Sequence, residues 1–246
     1  MFAVADRLRI RDDLIAHARN DDQIVGAALV GSAARGEEDA WSDIDLVLQL
    51  APDADEPTIV DAWTRWIDDR FDVADTLDVF AGARYRVFLL TTSLQIDLSF
   101  WKYGEFRGTG ESFHLVFGTA NPPSTPSAPD LDALIGMGWL YALHARSAIA
   151  RGKLWQAVMM LDDLRNQIIA LACVRHGLNP WHGRDVDHLP AADLDALLRS
   201  RSATVTASAL QRSLRMLIER FLAEVADHDG TRSRALTQPL HTLGAP

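Results

Sequence analysis

The chain has 246 residues, 48% of them apolar, enough for one large domain or two small ones with real cores. Its formal net charge of −10 argues against a broad nucleic-acid footprint, which needs a basic face, and leaves room for a local phosphate site or a cationic ligand. No apolar run reaches the ~18 residues of a membrane span, and a lone cysteine, Cys173 in the apolar "LACV", excludes an intramolecular disulfide.

The opening "MFAVADRLRIRDDLIAHARN" carries charges at helical spacing instead of a signal peptide's apolar stretch, so a cytoplasmic location is expected. Leu8, Ile15 and their neighbours predict a first helix ending at Asn20-Asp21-Asp22. "IVGAALVG" reads as a buried strand that stops at Gly31-Ser32. "DIDLVLQL" reads as a second strand, with Asp43, Asp45, Val47 and Gln49 on one face. "EPTIVDAWTRWIDDRF" opens on proline and threonine and places Ile59, Trp63, Trp66 and Ile67 on one side, so it is a helix. "VADTLDVFAG", "RVFLLTT" and "LQIDLSFW" follow as strands, the last two joined at Thr92-Ser93 as a hairpin. The fold class is therefore α/β (α+β), with a mixed-sheet domain over residues 1–118. Residues 119–130, within the proline-rich "GTANPPSTPSAPD", are the expected linker. From 131 to 246 the spacing turns helical, with Leu154, Val158, Leu161, Leu164, Ile168 and Leu171 as one inward stripe, and a helical bundle is expected. The tail after Asp229 reads as loosely held.

The chemistry concentrates around two aspartates. Strand alternation puts Asp43 and Asp45 on one face, ~7 Å apart along the chain. Two carboxylates so close repel each other, and burying them uncompensated is costly. Magnesium, which takes carboxylate oxygens together with substrate phosphates, removes the conflict. Gly31 lets the backbone approach an oxyanion, and Ser32 offers a hydroxyl and an N–H. Arg35 suits either a phosphate or plain solvation. Asp97, flanked by Ile96 and Leu98, joins the same sheet face if the strands pair in register. Three carboxylates around two cations form the two-metal arrangement for phosphoryl or nucleotidyl transfer. Glu37, Glu38 and Asp39 read as a charged loop; Asp162 and Asp163, opposite the apolar stripe of their helix, suit a solvated face more than a cationic acceptor, and Arg165 is an i,i+3 partner open to Asp162. Trp101, Trp155 and Trp181 could stack on a sugar or base, but a core or interface role is the commoner one for tryptophan. His176, His182 and His188 match no standard zinc spacing.

"GSAARGEEDAWSDIDLVLQL" resembles the signature of the polymerase-β-type nucleotidyltransferase superfamily: Gly-Ser, then Asp-x-Asp in an apolar strand, with Asp97 where that family carries its third carboxylate. The form GSxARGxxxxxSDxDL, with a helical second domain, resembles the aminoglycoside and lincosamide nucleotidyltransferases more than the polymerases. The resemblance implies that Asp43 and Asp45 bind Mg²⁺, two ions in all, and that Gly31 and Ser32 hold the nucleoside triphosphate. Asp97 then completes the metal site or accepts the substrate proton. "IARGKLWQA" resembles the lysine-bearing segment of the kanamycin-type enzymes and makes Lys153 a candidate for the triphosphate. That subgroup's glutamate, four residues earlier, is Ile149 here, so Asp97 is the better base and kanamycin is disfavoured. The implied activity is transfer of AMP from ATP to a hydroxyl of a small molecule, with the acceptor bound by the helical domain. A protein adenylyltransferase, an antitoxin-type enzyme and a catalytically idle nucleotide-binding module are the alternatives, and assembly as a homodimer stays open.

Overall fold

Helix α1 (Val4–Asn20) turns Ile10, Leu14 and Ala18 inward, an i, i+4, i+8 stripe that covers one face of a sheet. The computed structural model describes residues 2–108, 112–125 and 127–244; Pro126 of the expected linker and residues 245–246 at the end of the expected helical domain lie outside them. The chain divides into two compact units, Met1–Ser127 and Ala128–Pro246.

The first unit is a six-stranded mixed sheet. Strands β1 (Ile24–Val30), β2 (Ile44–Leu50), β3 (Val73–Phe80), β4 (Arg84–Leu90), β5 (Gln95–Trp101) and β6 (Phe113–Phe117) lie in the order β3-β4-β5-β2-β1-β6. Strands β2 and β5 run parallel at the centre, and the other pairs are antiparallel. Between β1 and β2 stands a five-residue helix, α2 (Gly31–Arg35), and between β2 and β3 a longer one, α3 (Glu56–Asp68). Asp55 caps α3 by accepting the Thr58 N–H at 3.3 Å, and Pro57 sits in the first turn, where its missing N–H costs nothing. Ile59, Trp63 and Ile67 of α3 are buried as the spacing predicts; Trp66 is only partly covered and stacks on His17 of α1 at 4.0 Å.

The two faces of the sheet differ. Helices α1 and α3 pack on the face formed by Ile44, Leu46, Leu48, Ile96, Leu98 and Phe100, all fully buried. Among the described residues the other face has a small buried cluster, Ala28, Val47 and Phe106, and it also carries the acidic groups. The β4–β5 hairpin forms as expected, with Ser93 left-handed at φ 68° and its N–H donated to Leu90 at 2.8 Å. Strand β6 was not expected: "FHLVF" lacks an alternating burial pattern, and its placement comes from the edge that β1 offers it.

The second unit is helical: α4 (Leu131–Ala150), α5 (Leu154–Arg175), α6 (Ala191–Arg199), α7 (Ala207–His228) and α8 (Gly230–Gly244). Asp130 and Thr206 cap α4 and α7 through the N–H groups of Ala133 and Ala209. On α5, Leu161, Leu164, Ile168 and Leu171 are fully buried, with Leu154 and Val158 packed partly against the same core; Cys173 is buried there too. The expectation of a loose tail after Asp229 is corrected by α8, whose Leu240 is buried and whose Ser233 hydroxyl donates to the Leu222 carbonyl at 3.0 Å. Its apolar positions, Leu236, Leu240 and Leu243, recur at helical spacing but are sparse and straddle Pro239, so only the groove that receives them makes the helix evident. Among the described residues no helix is long and apolar enough to cross a membrane.

Candidate active site

Parallel pairing of β2 with β5 sets Asp45 directly beside Asp97, as Ile44 is set beside Ile96 and Leu46 beside Leu98. The apolar neighbours decide the direction. With Ile44, Leu46, Ile96 and Leu98 in the core, both aspartates must emerge on the opposite face, and a one-residue slip would bury the carboxylates instead. Asp43 lies one residue outside β2 and completes the group: one carboxylate oxygen from each of Asp43, Asp45 and Asp97 lies within 4.8 Å of the others, all three side chains being half-buried. Burial pushes the Asp97 carboxyl above the usual carboxylate range and the charge of Asp43 pushes it further, against the Gln95 amide, which donates to it at 3.0 and 3.2 Å. Tyr85, paired across strands with Ser99, has its phenol raised by burial and by the charges of Asp45 and Asp97.

Gly31 meets this cluster from β1. Its φ is +64°, and a Cβ there would stand 2.3 Å from Asp45 Oδ2, so both backbone conformation and space require glycine. The close approach that Gly31 permits is therefore to the Asp45 carboxylate itself. Ser32 follows, half-buried in α2, its carbonyl accepting the Glu37 N–H at 3.0 Å. Arg35 turns to its own surroundings, donating to Glu37 at 2.5 Å and to the Ser112 hydroxyl at 2.9 Å. Lys153 stands in the second unit, exposed, at the N-terminal boundary of α5.

Residues 12–113, which include every one of these positions except Lys153, match the family model described as the nucleotidyltransferase domain. The match covers less than half of the chain, and the Gly-Ser and Asp-x-Asp pattern lies within it. No curated protein matches the chain. Solved structures similar to it include an aminoglycoside 6-adenyltransferase from Bacillus subtilis, 12% identical with a TM-score of 0.40, covering 96% of this chain and 97% of that one. Another is a GLD-2/RNP-8 complex, 11% identical with a TM-score of 0.33, covering 87% of this chain and 72% of that one. Likenesses this distant do not bear on what the domain acts upon.

Among the described residues the donor set suits a hard divalent cation: three carboxylates and no nitrogen or sulfur ligand, with the Asp97 carboxyl already held toward its neutral form by burial and the charge of Asp43. Three contributors escaped the sequence reading. Tyr85 is brought to the aspartates by strand pairing, and nothing local to it signals this; Gln95 stands two residues before Asp97 in β5, where alternation puts both on one face. The third is the charged loop before Asp43. Glu38 is bound by Arg11 of α1 at 2.7 Å and lies 3.5 Å from Arg7, so it is not merely solvated.

Proposed function

We propose that the chain transfers a nucleoside monophosphate, AMP from Mg²⁺·ATP, to a hydroxyl of a small molecule and releases pyrophosphate. One observation carries this reading: three carboxylates with oxygens within 4.8 Å of one another, two on adjacent strands and Asp43 just before β2, in a segment that matches the nucleotidyltransferase-domain model. Asp43, Asp45 and Asp97 would hold the divalent cations, which supply Lewis-acid neutralisation of the triphosphate when bound. Gly31 lies next to Asp45, and its backbone together with Ser32, which follows it, is the candidate hold on the triphosphate. Arg35 would exchange Glu37 and Ser112 for a phosphate oxygen, and Lys153 is a second candidate cation for it. The acceptor hydroxyl forms the new O–P bond at the α-phosphorus, the bond from that phosphorus to the β-phosphate bridging oxygen breaks, and Asp97 takes the hydroxyl proton. Residues 131–246 are the proposed acceptor-binding domain. The net charge of −10 favours a cationic acceptor of the aminoglycoside kind, and the sequence signature extends the class to lincosamides.

The test is pyrophosphate release from ATP and Mg²⁺ over a panel of hydroxyl-bearing acceptors, with the product weighed by mass spectrometry. A nucleotidyl adduct on a small molecule is the expected result. An adduct on a co-expressed protein, or tight ATP binding without release under every condition, would overturn it.

A further inference from the structure

Asp45 and Asp97 are held by a strand ladder, whereas Asp43 is not, since β2 begins at Ile44. The seven residues 36–42 that lead to it belong to no helix or strand. They close a local turn: Asp39 N–H donates to the Ser42 hydroxyl at 2.9 Å, and Trp41 N–H donates to the Asp39 carboxylate at 2.8 Å. Such a turn fixes its own shape but not its position against the sheet.

Arg7 supplies the position. From α1 it donates to the carbonyls of Asp39, at 2.5 Å, and Ser42, at 3.1 Å, and its guanidinium lies 3.5 Å from the Glu38 carboxylate. Arg7 is only 2% exposed, an extreme burial for an arginine, which is rarely covered unless its charge is paired. The Ser42 carbonyl belongs to the peptide unit that joins Ser42 to Asp43, so the guanidinium grips the bond from which Asp43 hangs. The planar fork matters here, because one side chain must meet two carbonyls and a carboxylate at once. Arg11 steadies Glu38 from one turn further along the same helix.

We propose that Arg7 is a positioning residue for the metal site, acting through the segment Glu38–Ser42 to set Asp43 against Asp45 and Asp97. The inference rests on the nucleotidyl-transfer reading and names a part of that site which the sequence motif does not contain.

Mn²⁺ binding in the presence of a non-hydrolysable ATP analogue, followed by electron paramagnetic resonance, tests it without relying on turnover. Two variants are compared. Arg7→Lys keeps the charge and loses the fork; Asp39→Ala opens the turn from its solvent side and leaves the core untouched, so it serves should Arg7→Lys not fold. Both are expected to weaken Mn²⁺ binding about tenfold, while circular dichroism shows a folded protein. Wild-type Mn²⁺ affinity in a folded Arg7→Lys protein overturns the role of Arg7, and wild-type affinity in Asp39→Ala overturns the Glu38–Ser42 turn as the element it acts through; either leaves the nucleotidyl-transfer reading standing. Failure of the wild-type protein to bind Mn²⁺ with the nucleotide overturns both.

Discussion

Asp97 and Asp193 are both shielded from water, one in each unit, and their surroundings act on them in opposite ways. Asp193 opens α6 between two cations, Arg220 at 2.6 Å and Arg175 at 3.0 Å, and is hydrogen-bonded to the His176 ring at 3.1 Å, the two arginines also binding the fully buried Glu224. Burial pushes its carboxyl up, but Arg220, His176 and Arg175 more than reverse this and hold it below the usual range. Asp97 has an amide and another carboxylate for company, and its carboxyl is held above that range. The first arrangement completes its own electrostatics and serves stability. The second leaves a demand for positive charge, the mark of a site that waits for a ligand.

The largest expected effect breaks the second arrangement. Asp45→Asn removes one of three donors and should cut nucleotidyl transfer by roughly 10²–10³-fold, read as pyrophosphate release, without lowering the melting temperature. Glu224→Gln attacks the first arrangement. It leaves Arg220 with Asp193, and Arg175 with Asp193 and the exposed Asp227 at 3.4 Å, and should cost about 3 kcal/mol in urea denaturation, with nucleotide-dependent Mn²⁺ binding unchanged. Gly31→Ala comes next: strain at φ +64° and the approach to Asp45 Oδ2 should displace that carboxylate, for a loss of about 1–2 kcal/mol in transition-state stabilisation, measured as kcat/KM. The smallest effect concerns pH. Because the folded carboxyl of Asp97 is raised, its contribution to stability is present below the ordinary carboxylate pKa and is lost as pH climbs through the raised value. Asp193 runs the other way, its contribution being lost as pH falls. Asp97→Asn should therefore raise the melting temperature of the metal-free protein at pH 7, and this advantage should vanish in acid. A variant no more stable than wild type at pH 7 would contradict the direction given for Asp97.

Much of this site was readable along the chain. Alternation in "DIDLVLQL" aims Asp43 and Asp45 together, and "LQIDLSFW" repeats the device with Asp97 between Ile96 and Leu98. Gly31 was readable as a glycine that something must approach closely, although the partner turned out to be Asp45. The i,i+3 pair of Asp162 with Arg165 was readable because both ends lie on one helix. The grip of Arg7 on the Glu38–Ser42 segment was not. Its members are separated by more than thirty residues, and a charged loop looks the same in sequence whether it is solvated or held. Likewise "FHLVF" and the α8 segment carry weak local signals, and each takes its structure from the edge or groove that receives it.

By itself, then, the sequence determined the succession of helices and strands and the side of each strand that bears acid, because periods of 3.6 and 2 are local properties of the chain. Tertiary structure decided which strands became neighbours, and so whether Asp97 stood beside Asp45, what Gly31 touched and what held Asp43 in place. Those outcomes depend on contacts between distant segments, whose energies are settled only when the sheet has closed and α1 has packed against it.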